Sequence, residues 1–158
     1  MTLKEVMAQL ETMGSEQTKK TFTRHGAREP FFGVRVGDLK KIVKKVKKDH
    51  SLSLALYDTG NSDAMYLAGL IADETKISKE ELQDWADKAY WYMISENTVA
   101  WVAAESPYGL DLGLAWIESD EERIASAGWA TLASLVALKP DEELDMKELT
   151  MMLDRISK

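Results

Sequence analysis

The sequence has 158 residues, 45% hydrophobic and 30% charged, a balance that predicts one soluble, globular domain with a core of its own. It contains no cysteine, which excludes disulfides, thiol nucleophiles and thiolate-bound zinc or iron–sulfur clusters together. The net charge of −7 is unevenly spread: residues 1–50 hold 12 Lys and Arg against 6 Asp and Glu, a net of +6, whereas residues 51–158 hold 8 against 21, a net of −13.

In chain order the segments read as helices, with no convincing strand. The first two are predicted over 2–13 and 15–25. Thr2 and Glu5 are spaced as a capping box, in which a hydroxyl satisfies an orphan N–H and the acid reaches back. Gly14, Gly26 and Gly60 stand where left-handed caps would end helices. Residues 30–42 form a corner of two aromatics, Phe31 and Phe32, and two glycines, Gly33 and Gly37, that opens into a helix over 37–48. In that helix Leu39, Ile42, Val43 and Val46 recur at helical spacing on one stripe, and Lys40, Lys44, Lys47 and Lys48 stand opposite, with Lys41 and Lys45 beside them. Helices follow over 50–58 and 61–73. The second is apolar almost all round, through Met65, Leu67, Leu70 and Ile71, and is expected to be central. Ser78 and Glu81 open a helix over 78–93, in which Trp85 shares a stripe with Leu82 and Ala89 and reads as core. The Tyr90-Trp91-Tyr92 run must expose at least one ring, because consecutive helical side chains point about 100° apart; such a ring either covers a helix end or meets a partner. Helices over 95–105, 108–117, 120–138 and 144–157 complete the chain, with Pro107 and Pro140 in connections and a third capping box at Ser119 and Glu122. Ala125, Ala127, Gly128 and Ala130 allow close helix approach. Ten short helices make five pairs, the logic of an α-solenoid.

The corner Pro30-Phe31-Phe32-Gly33-Val34-Arg35 followed by Asp38-Leu39-Lys40-Lys41-Ile42 closely resembles the second repeat of the DNA alkylation repair enzyme family, the AlkD-like glycosylases. A looser likeness runs from Leu3 to Ala137, through Ala64-Met65-Tyr66-Leu67-Ala68-Gly69-Leu70-Ile71 and the stretch from Trp116 to Trp129. The resemblance implies an all-α, HEAT-like or armadillo-type α-α superhelix, shorter than a full-length member, and a DNA glycosylase releasing N3- or N7-alkylated purines. Such purines are already cationic leaving groups, so the enzyme has mainly to stabilise positive charge developing on the sugar. The family pattern for this is an aromatic followed four residues later by Asp, with an Arg on a later helix. Here Glu96, Ala100 and Ser126 occupy those positions, and an alanine cannot stabilise a cation. A slip of register offers Trp101 and Glu105 as the aromatic and the carboxylate, opposite Val99 and Val102, with Arg123 one turn before Ser126. The alternative is that Trp101 merely packs against the next repeat. The expected activity is accordingly weak or absent.

Double-stranded DNA is the expected partner of the basic N-terminal part. Arg24, Arg28 and Arg35 flank the corner and, with Lys40, Lys44 and Lys47, are the candidate phosphate contacts; alternatively the lysines only solubilise an outer helix, and Arg28 pairs with Glu29. The acidic remainder suggests instead a scaffold for a protein partner. His25 and His50 have no ligand at metal spacing, so neither a metal nor a cofactor is expected. Neither a secretory leader nor a long apolar run is evident, and the cytoplasm is the expected location.

Overall fold

A computed structural model of the protein describes residues 1–138, and every regular element among them is a helix. The order is α1 (Leu3–Met13), α2 (Glu16–Arg24), α3 (Val36–Val46), α4 (His50–Asp58), α5 (Ser62–Ile71), α6 (Lys79–Lys88), a π-helix (Met93–Val99) that runs directly into α7 (Ala100–Glu105), α8 (Gly109–Trp116) and α9 (Glu122–Leu138). The helix expected over 144–157 lies outside the described residues. No helix among the described residues is long and apolar enough to cross a membrane.

Local chemistry explains most of the helix ends. At α1 the Thr2 hydroxyl accepts from the Glu5 N–H at 3.1 Å and the Glu5 carboxylate accepts from the Thr2 N–H at 2.9 Å; Ser78 and Glu81 repeat the arrangement at α6. The third expected box does not form. Ser119 accepts instead from the Glu121 N–H, two residues on, because the chain is still turning there and α9 starts only at Glu122. Gly26 and Gly60 have positive φ, 113° and 73°, as caps require. Gly14 does not: its φ is −67°, and it is small for a different reason, since a Cβ there would lie 2.4 Å from the Phe32 carbonyl oxygen.

Packing follows the paired logic of a HEAT-like fold. Helices α3, α5, the π-helix with α7, and α9 pack in succession as one row, while α4 packs on α5, α6 on the π-helix and α9, and α8 on α9. Helix α5 is central, as its apolar periphery predicts, with Met65, Leu67 and Ile71 buried; Leu70, expected with them, is half-buried. Trp85 is core, stacked on Tyr57 with ring centroids 4.3 Å apart and planes at 5°, and the Tyr57 hydroxyl donates to the Trp85 carbonyl. Gly128 permits a close approach of α9 to the end of α8: a Cβ there would lie 2.7 Å from the Ile117 backbone nitrogen.

Candidate nucleic-acid interface

The aromatic corner before α3 is built around a carboxylate. Asp63, in the first turn of α5, is buried and accepts backbone hydrogen bonds from Phe32, from Gly33 at 3.1 Å and from Val34 at 2.9 Å. Burial raises the pKa of its carboxyl above the ordinary aspartate value, and the three N–H donors offset that only in part. Gly33, with φ of 77°, passes so close to α2 that a Cβ would lie 2.7 Å from the Lys19 nitrogen. Lys19 pairs with Glu29 and lies over the Phe31 ring, 5.2 Å from its centroid. These contacts fix where α3 begins and therefore where its charged face points. Sequence reasoning missed Asp63, whose signal, an acid in the first turn of a predicted helix, normally means only dipole compensation.

Helix α3 has the expected two faces. Leu39 and Ile42 are buried, Val43 and Val46 are half-buried, and Lys40, Lys44, Lys45 and Lys47 are exposed. Lys41 is paired with Asp38 at 3.0 Å and Lys48 with Glu74, but Lys40, Lys44, Lys45 and Lys47 have no carboxylate partner among the described residues. The hydrogen bond to Glu74 holds the Lys48 ammonium above its usual pKa, helped by the charges of Glu74, Glu105 and Asp73. Lys47 is the only non-glycine with positive φ among the described residues, at 62° with ψ of −132°.

The three arginines have three different settings. Arg24 is exposed on the last turn of α2, beside Lys20 in an open pocket that Glu16 and Glu29 also line. Arg28 does not pair with Glu29, which Lys19 takes; its guanidinium lies 4.8 Å from the centroid of the Tyr90 ring. Arg35 is exposed at the N-cap of α3.

Trp101 and Glu105 share one face of α7, as their spacing predicts, and together with Ser134 and Ala137 of α9 they line an open pocket of about 290 Å³. Trp101 is 41% exposed, its ring edge-on to that of Tyr66 at 6.0 Å, and Val99 and Val102 are buried on the opposite side. An indole and a carboxylate so placed can attract an organic cation. The structure does not bring Arg123 to them. It sits at the start of α9, near Glu121 at 3.9 Å, and at about 1.5 Å rise per residue it is roughly 16 Å along the helix from Ser134. Ala100 is fully buried and Ser126 half-buried.

The sequence matches the family model described as DNA alkylation repair enzyme over residues 6–156. The chain belongs to the DNA alkylation repair enzyme family. Its relatives include the uncharacterized proteins Lmo0209 of Listeria monocytogenes, 29% identical over 149 residues, and Lin0241 of Listeria innocua, 28% identical over the same length; each alignment covers 90% of this chain and 66% of the relative. A solved structure from a new family of proteins related to the HEAT-like repeat DNA glycosylases, with affinity for branched DNA structures, superimposes with a TM-score of 0.94 at 41% identity, covering 99% of this chain and 66% of that one. This member of the repair family thus spans about two thirds of the proteins it matches, and its HEAT-like helical fold is that of the glycosylase-related structure.

Proposed function

We propose that the protein binds DNA through its basic N-terminal part and releases alkylated purines weakly or not at all. The observation that carries the reading is the set of exposed lysines on α3 and at its end, Lys40, Lys44 and Lys47, that no carboxylate among the described residues neutralises. Phosphates are the natural counter-charge for such a row, with Arg24, Arg28 and Arg35 of the adjoining elements as further contacts. Family membership and the affinity of the related protein for branched DNA support the same partner.

Titrating DNA binding against salt tests this. Affinity is expected to fall steeply, with a log–log slope of about −0.9 for each phosphate neutralised on duplex DNA and little sequence preference. Lys40→Glu combined with Lys44→Glu is expected to weaken binding and make the slope shallower by about 2. Binding that is absent at low salt, or indifferent to salt, overturns the reading. The net of −13 over residues 51–158 favours a second one, a helical-repeat scaffold for a basic protein partner, which predicts that negative outcome.

A further inference from the structure

We propose that Tyr92, held between His25 and Trp91 and accompanied by Arg24 and Arg28, is a stacking platform for an unpaired nucleobase. The inference rests on the DNA-binding reading and adds to it what the protein would recognise at a branch point. Three consecutive aromatic residues, Tyr90, Trp91 and Tyr92, follow α6. Trp91 is buried against Phe22, with its indole N–H donating to the Ser62 hydroxyl at 2.9 Å. Tyr90 spends its hydroxyl on the backbone of Arg28, donating to the carbonyl at 2.9 Å and accepting from the N–H at 3.2 Å. Tyr92 alone turns outward: it is 46% exposed, and its hydroxyl has no partner among the described residues.

The ring is exposed without being loose. His25 meets it at 6.4 Å and 81°, and Trp91 at 5.5 Å and 77°. Both contacts are nearly perpendicular, so neighbours brace the ring and neither is stacked parallel to it. Stacking a planar ligand on an already positioned ring costs little further side-chain entropy. Two arginines stand next to the residues around the ring: Arg24 precedes His25 in the chain, and the Arg28 guanidinium lies 4.8 Å from the centroid of Tyr90. Arg24 and Arg28 have no carboxylate partner among the described residues, and the nearby Glu29 is neutralised by Lys19. A planar aromatic ligand carrying negative charge on either side matches this chemistry, and an unpaired nucleotide between phosphates is such a ligand. Every base has a π-face, so the platform is indifferent to sequence.

Two DNA probes test the proposal: a fully paired duplex, and the same duplex with a branch point carrying unpaired nucleotides, one of them 2-aminopurine. Tyr92→Leu is expected to weaken the branched probe by about 5- to 150-fold while leaving duplex affinity unchanged, and Tyr92→Phe is expected to bind both as the parent does. The parent is expected to quench the 2-aminopurine on binding, a readout that does not depend on any variant folding. Unaltered binding of the branched probe by Tyr92→Leu, equal weakening of both probes, or binding without quenching overturns the platform and leaves the lysine reading standing. Failure of the parent to bind either probe at low salt removes the DNA reading itself, and the platform with it.

Discussion

At Asp63 one side chain carries the junction between two parts of the chain, because both of its oxygens accept N–H groups from the corner before α3. Asp63→Asn keeps the shape but leaves one acceptor oxygen, so at least one buried donor is orphaned or faces an NH2 group. Each orphan costs about 1–3 kcal/mol, and in a chain of this size each kcal/mol lowers Tm by about 2–4 °C. A melting curve unchanged by the substitution would show that the carboxylate does not hold the corner. Lys47 is expected to behave oppositely. A lysine at φ of 62° and ψ of −132° carries about 1–3 kcal/mol of backbone strain that glycine would relieve, less the 0.5–1 kcal/mol that glycine loses in chain entropy. Lys47→Gly should therefore raise Tm by up to several degrees while weakening DNA binding, and a lower Tm would refute the strain. Periodicity was enough to place the α3 lysines, the buried Trp85 and the outward Trp101 and Glu105. It was not enough for Asp63 or Gly14, whose contacts lie far away in the chain, nor for which of Tyr90, Trp91 and Tyr92 stays exposed, since that depends on Ser62 and Arg28 claiming the other two.

Helix positions were legible from apolar spacing and caps, and the failures among them share a cause. The helix expected over 78–93 stops at Lys88, and the next begins at Met93 as a π-helix. Burial of Trp91 against Ser62 and Phe22 pulls the intervening residues out of helical geometry. A wide π turn is set by tertiary packing and has no periodicity of its own to read. It also leaves a mark on Thr98. In α9 the buried Thr131 hydroxyl donates to the Ala127 carbonyl at 2.7 Å, the usual back-bond of a helical threonine. In the π-helix the Thr98 hydroxyl is buried without a hydrogen-bond partner among the described residues. Thr98→Val replaces that hydroxyl with a methyl of nearly the same shape and should stabilise the protein by about 1 kcal/mol, seen as a Tm rise of about 2–4 °C. A fall in Tm would mean that the hydroxyl is satisfied in solution. In α5, the next helix of the same row, Leu67→Ala is expected to cost about 2–5 kcal/mol through lost burial and a residual cavity, whereas the half-buried Leu70 should cost less. Equal losses at the two positions would contradict the packing of α5.

On the scale of the whole molecule, residues 1–50 carry a net charge of +6 and residues 51–158 a net of −13, and the pocket of Trp101 and Glu105 belongs to the acidic stretch of sequence. Lys48, which feels the charge of Glu105, links the end of α3 electrostatically to that pocket. DNA held on the α3 lysines would thus have an indole and a carboxylate within the same row of helices, and the question is whether they perform chemistry. The resemblance expects a carboxylate at position 100 and a guanidinium at position 126; the protein has a fully buried methyl and a half-buried hydroxyl there. Losing one preorganised electrostatic group commonly lowers a rate by about 10²–10³, and here two are replaced. Arg123 does not restore the second, because it lies at the far end of α9 from the pocket. Release of N3- or N7-alkylated purine from alkylated duplex DNA is therefore expected to be weak or undetectable under conditions where binding is clear, with freed base as the measurement. Robust release that disappears in Glu105→Gln while DNA affinity persists would overturn this and assign the chemistry to Glu105. Release that survives that substitution would also overturn it, and would place the chemistry on residues outside the pocket.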